Sequence, residues 1–141
     1  VREGRAKEFE GHSGYEGTDV PDPNALSTFT ASKLNWAAQD TPEGKAWLAL
    51  SRNLLSLRQQ HIVPLLATAS GHSGKIVQTA PGFFAVSWTF PKGTLSLAVN
   101  ISNETHTAPD LPGETLFALP NLGHELPPNS VLVRLASGDA Q

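Results

Sequence analysis

The sequence predicts a mainly β chain: an antiparallel β-sandwich over residues 63–141, preceded over residues 1–62 by a loop-rich segment and one amphipathic helix. Three observations carry that expectation. Apolar residues recur with a period of two between Phe84 and Ile101, as on strands with one packed face. A stripe with three- and four-residue spacing lies between Asp40 and His61, behind a helix start signal. Eight of the 11 prolines lie at or after Pro64, where they separate short segments rather than interrupt one long element.

The 141 residues are 39% hydrophobic and 16% charged, enough apolar side chain for one packed core. The 13 acidic and 10 basic residues give a formal net charge of -3, and the cations are scattered, so no nucleic-acid partner is expected. The absence of cysteine excludes a disulfide framework, a thiolate nucleophile and a sulfur-ligated zinc site, and it fits a cytoplasmic origin. The longest apolar runs, Leu65-Leu66-Ala67 and Phe83-Phe84-Ala85-Val86, fall far short of the roughly 20 residues that cross a bilayer, so neither a membrane partner nor a signal peptide is expected. The sequence contains no methionine and reads as a piece of something longer.

Residues 1–40 show no sustained period, and loops are expected there, with short helical turns at Arg2 to Phe9 and around Leu26 to Leu34. At Asp40-Thr41-Pro42-Glu43 a capping residue, an early proline and a carboxylate three positions after the aspartate predict a helix start. Trp47, Leu50, Leu54, Leu57 and His61 then form an apolar stripe widened by Leu48 and Leu55, while Arg52, Arg58 and Gln59 supply the polar side. The helix is expected to stop near His61 or Ile62, because Pro64 disfavours helical geometry in the residue before it.

Beyond Pro64, Phe84, Val86, Trp88 and Phe90 alternate with Ala85, Ser87 and Thr89. Pro91-Lys92-Gly93 makes a turn, and Leu95, Leu97, Val99 and Ile101 alternate with Ser96, Ala98 and Asn100. This predicts a hairpin whose buried face carries the large residues. Further strands are expected at Lys75 to Thr79, Thr115 to Leu119 and Ser130 to Leu135.

Catalytic chemistry is mostly missing from the pattern. Gly-His-Ser-Gly occurs at Gly11 to Gly14 and again at Gly71 to Gly74, but neither copy is the G-x-S-x-G elbow that exposes a serine nucleophile, and both read as turns. The histidines His12, His61, His72, His106 and His124 never stand four residues apart, so no metal site is expected. Asp19 with Asp22, and Glu8 with Glu10, are close carboxylate pairs of the type glycoside hydrolysis uses, yet nothing beside them would raise an acid's pKa. Asn100-Ile101-Ser102 and Asn103-Glu104-Thr105 match the glycosylation triplet but read as strand-end and turn residues. Phe84, Trp88 and Phe90 alternate with small residues as core aromatics do, whereas Trp36 sits in a polar stretch and is less committed to a core.

The run Val1-Arg2-Glu3-Gly4-Arg5-Ala6-Lys7-Glu8-Phe9 is followed by Asp19-Val20-Pro21-Asp22-Pro23, Thr28-Phe29, Ser32-Lys33-Leu34 and Trp36, and later by Leu54-Leu55-Ser56-Leu57-Arg58. Together these resemble the C-terminal portion of the malto-oligosyltrehalose trehalohydrolase family, in the α-amylase superfamily of glycoside hydrolases. The resemblance implies that residues 1–62 are the tail of a (β/α)8 barrel, with its last helix at about 42–61, and that residues 63–141 are the sandwich that closes the chain. It further implies a parent enzyme that cleaves the α-1,4-glucosidic bond next to a terminal trehalose unit with two carboxylates, and that needs no cofactor. The family's catalytic aspartate and glutamate residues sit on earlier barrel strands. None can be carried onto this chain, which alone is expected to be inactive.

On the same resemblance, Asp22, Phe29, Lys33 and Trp36 are expected to lie near a malto-oligosaccharide-type substrate held by the parent barrel. The exposed face of the Trp47 to His61 helix is expected to invite self-association. Residues 1 to about 38 are expected to be mobile unless another part of the protein is present, and residues 63–141 to hold the stable core. A stand-alone carbohydrate-binding or structural sandwich, and the terminal part of another α-amylase superfamily enzyme, remain open as alternatives.

Overall fold

The computed structural model describes residues 2–9, 21–120, 123 and 125–138. The chain divides into two compact units, Val1–Leu48 and Ala49–Gln141. The first Gly-His-Ser-Gly copy, Glu10, Asp19 and His124 lie outside the described residues.

In the first unit, α1 spans Arg2–Phe9, with Glu3 in its first turn and Lys7 in its last, each the sign that suits the helix dipole. Helix α2, Leu26–Ala31, is shorter than the sequence suggests. The hydroxyls of Thr30 and Ser32 donate to the carbonyls of Leu26 and Thr28 at 3.0 and 2.8 Å, local bonds that compete with continued helix. A 3-10 turn over Trp36–Asp40 follows. It moves the helix cap by one residue. Thr41, not Asp40, accepts the Gly44 N–H on its Oγ1 at 3.0 Å, because Asp40 is spent in the preceding turn, and Pro42 then takes the first helical position.

Helix α3, Pro42–Leu57, does not end before the proline. The chain widens into a π turn over Arg58–Ile62, in which the Val63 N–H donates to the Arg58 carbonyl, and it continues as α4, Val63–Leu66. A proline in a regular helix clashes with the carbonyl four residues back and leaves it without a donor. The wider turn relieves that clash, so Pro64 enters at the start of a new helical segment. Leu65, on that segment, is buried.

Five strands form one antiparallel sheet: β1 Gly74–Ala80, β2 Phe83–Phe90, β3 Gly93–Asn100, β5 Glu114–Leu119 and β7 Ser130–Ser137, in the order β1-β2-β3-β7-β5. Strands β2 and β3 fall where alternation places them, and the other three on the segments that the prolines bound. Two-residue turns at Pro81-Gly82 and Pro91-Lys92 fix the register, pairing Ala80 with Phe83 and Phe90 with Gly93. Gly82 has φ 69°, and a Cβ there would stand 2.9 Å from Ser102. The second copy of Gly-His-Ser-Gly forms a turn, with His72 at φ 62°, and leads into β1.

A second, two-stranded sheet pairs β4, His106–Thr107, with β6, Glu125–Leu126, and makes the sandwich markedly unequal. Strands this short leave no periodic trace, so alternation does not reveal them. The core consists of Phe83, Ala85, Ala98, Leu111, Leu126 and Leu132. The His106 ring stacks on Phe83 with centroids 4.7 Å apart.

The buried face of the hairpin is therefore not the expected one. Phe83, Ala85, Ser96, Ala98 and Asn100 are buried, while Phe84 is 42% exposed and Val86, Trp88, Leu95, Leu97 and Val99 are half-buried. Of the large alternating set only Phe90 is buried, and Ile101 is exposed. Size explains the choice: alanine and serine side chains let the short strands and the Leu111 loop approach the backbone of β2 and β3 closely, whereas a row of Phe, Val and Trp would hold them off.

Candidate functional site

The segment singled out from the sequence is built by local hydrogen bonding. Asp22 accepts the Asn24 N–H on Oδ1 at 3.0 Å, and its carbonyl accepts the Ala25 N–H at 3.1 Å, so the aspartate closes the turn that launches α2. One turn apart on and after that helix, Phe29 and Lys33 meet: the Lys33 ammonium lies 4.9 Å from the Phe29 ring centroid. Such a contact is worth about 0.5–1 kcal/mol at an exposed site. Phe29 is 58% exposed and Trp36, at the start of the 3-10 turn, 73% exposed. Two aromatic faces and an ammonium in one short segment offer what a sugar ring needs, a flat apolar face beside a hydrogen-bond donor. Phe29 and Lys33 are brought together, Asp22 serves the turn, and Trp36 exposes its ring at the start of the 3-10 turn.

Two further sequence candidates, Asn100 and Trp88, have structural roles. Asn100 is fully buried and bonded on both sides of its amide, which leaves no room for a glycan. Trp88 lies over Gly74, where an added Cβ would come within 2.9 Å of its indole nitrogen. Among the described residues, no group of three or more His, Asp or Glu is placed to hold a metal ion. No helix is long and apolar enough to cross a membrane.

One feature of the second unit escapes the periodicity. A cavity of about 430 Å³ is lined by Ala108, Asp110, Thr115, Leu132 and Arg134. Arg134 stands on the inward face of β7, between Ser96 of β3 and Thr115 of β5. Its Nη2 donates to the carbonyl of Gly113, while its buried Nε has no partner. Gly113 has φ 88°, and a Cβ there would fall 2.2 Å from the Leu135 backbone, so only glycine lets the 108–113 loop reach that carbonyl to the arginine. The available signal was a charge in an otherwise apolar strand, Val131-Leu132-Val133-Arg134-Leu135.

No protein-family model matches the chain. It is similar to malto-oligosyltrehalose trehalohydrolases: that of Deinococcus radiodurans is 40% identical over 108 residues, 70% of this chain and 18% of the relative. Those of Brevibacterium helvolum and Rhizobium sp. are 42% identical over 59 residues and 44% identical over 57, covering 10% and 9% of their lengths. A 1.4 Å crystal structure from Salmonella typhimurium, provisionally assigned as an alpha amylase, matches with a TM-score of 0.88 and 63% identity over 96% of this chain and 23% of that one. The chain thus spans less than a fifth of the length of the curated relatives it matches.

Proposed function

We propose that the chain is the C-terminal portion of a glycoside hydrolase that cleaves the α-1,4-glucosidic bond next to the terminal trehalose unit of a malto-oligosyltrehalose, releasing trehalose in the cytoplasm. The observation that carries this reading is the run of similarity to three trehalohydrolases at 40–44% identity. The 0.88 TM-score to an alpha-amylase-type structure adds support from the fold. In this reading residues 1–62 finish the catalytic barrel, residues 63–141 form the closing sandwich, and the catalytic carboxylates belong to the rest of the parent. The exposed rings of Phe29 and Trp36, with Lys33 and Asp22, border the sugar cleft.

The test titrates the chain with maltopentaose and maltotriosyltrehalose while following tryptophan fluorescence and trehalose release, beside the same assay on the parent enzyme. The expected result is trehalose from the parent and none from the chain. Turnover by the chain alone would show that its own carboxylates catalyse, and a parent that releases only maltose would transfer the reading to another amylase-type enzyme.

A further inference from the structure

We infer that the outer face of the five-stranded sheet is an interface, and that its occupant is the part of the parent enzyme outside this chain. Register defines the face. Residues paired across antiparallel strands point to the same side, so Ile76, Val86, Leu97, Val133 and Phe117 form one row from β1 to β5. The next row runs from Thr79 and Phe84 through Val99 and Val131 to Leu119. Neither row carries a charge, and both lie on the side away from Ala85, Ala98 and Leu132 of the core. An antiparallel sheet that meets water on one side places polar residues there. This side carries Ile, Val, Leu and Phe instead.

Burial along the face is graded. Phe90, on the same side of β2, is 8% exposed although it lies outside the core of Phe83 and its neighbours, so the face is packed where this chain supplies a cover. Towards the Pro81-Gly82 turn the cover runs out: Phe84 is 42% exposed, Leu119 49%, and Ile76 on the edge strand 74%. With strands about 4.8 Å apart the two rows span roughly 20 Å, and contiguous apolar surface of that breadth marks an interaction site. Chain length selects the occupant. This chain accounts for 18% of the Deinococcus relative and 23% of the Salmonella chain, so most of the parent lies outside it. A tethered neighbour acts at an effective concentration in the millimolar range, which a free second copy does not match. The inference rests on the reading of this chain as part of a longer enzyme, and not on which bond that enzyme cleaves.

The experiment is hydroxyl-radical footprinting of the parent enzyme and of this chain over a range of concentrations, with the labels read by mass spectrometry. Expected is strong labelling of Ile76, Phe84 and Leu119 in the chain and the loss of most of it in the parent, with buried Phe83 unlabelled in both. The double change Phe84→Glu and Leu119→Glu sets charges against the occupant, and should restore the labelling of Ile76 and Leu97 in the parent to the level of the chain. Equal labelling of the three residues in chain and parent overturns the inference, as does labelling in the parent that the two glutamates leave unchanged. Protection in the chain that grows with its concentration overturns it too, since a second copy is then the occupant. Trehalose release by the parent is a separate readout, so the interface can fail while the proposed activity stands, and the reverse.

Discussion

The side-chain amide of Asn100 donates to the carbonyl of Leu126 at 2.8 Å, and this bond ties the end of β3 to the two-stranded layer. The same nitrogen donates to the Glu104 carbonyl at 2.7 Å, and Oδ1 accepts from the N–H and Oγ of Ser102 at 2.9 and 2.7 Å. A fully buried amide thus serves as a four-way junction where strand, loop and second sheet meet.

Removing that junction strands its partners. Asn100→Ala leaves the buried Leu126 carbonyl and the Ser102 N–H without their partner, while the Glu104 carbonyl keeps the Ser102 hydroxyl, and should lower stability by about 2–3 kcal/mol. Asn103→Ala, at an exposed neighbouring position, should change stability by less than about 0.5 kcal/mol. Urea midpoints of the two variants decide the matter; equal midpoints would mean that the amide holds nothing.

The sheet was legible in the sequence because β2 and β3 alternate, the other three strands lie between prolines, and the hairpin turns are marked by Pro-Gly and Pro-Lys-Gly. Which side of the hairpin the second layer covers was not, since alternation separates two faces without saying which is packed. The π turn at Arg58–Ile62 was also hidden: a proline marks the end of a regular helix, and only tertiary context allows a wider turn to carry the chain past it. At the candidate site the Phe29 and Lys33 contact follows from a four-residue spacing on a helix that could be anticipated. The Arg134 cavity depends on a loop between β4 and β5 brought back onto β7, a long-range arrangement with no local pattern.

If the α2 segment borders the sugar cleft, the exposed Trp36 ring contributes binding energy in the parent enzyme. Trp36→Ala should then raise KM for maltotriosyltrehalose about threefold to tenfold, or lower kcat, as the loss of roughly 1 kcal/mol of ring contact would do. Kinetics identical to the wild type would refute the assignment.

Helix α3 has no buried residues; Leu54 is 42% and Leu55 65% exposed, and Trp47 earlier in the same helix is 63% exposed. Apolar surface of this kind favours association of the isolated chain with a second copy. Sedimentation velocity over a range of concentrations should show a rising weight-average coefficient that the double change Leu54→Glu and Leu55→Glu suppresses. A chain that remains a monomer at every concentration would remove self-association from its properties.

Neighbouring residues on β2 should respond in opposite ways to substitution, because they belong to the two faces. Ala85 is fully buried opposite Ala98, where there is no space for further methylenes. Ala85→Leu must push the Leu126 and Leu111 layer outward or force strained rotamers, at about 1–3 kcal/mol. Phe84, opposite Val99, is 42% exposed, so Phe84→Ser forfeits only the part of the ring that is covered. Its cost should stay below that of Ala85→Leu in the isolated chain, although a burial pattern guessed from residue size alone predicts the reverse. In the parent enzyme the order should change if the catalytic part covers the Phe84 face, since the ring would then be buried and its loss would approach the roughly 3–5 kcal/mol of a core phenylalanine. Thermal melts of both variants, in the chain and in the parent, separate a face that is open by design from one that is open only when the remainder of the enzyme is missing.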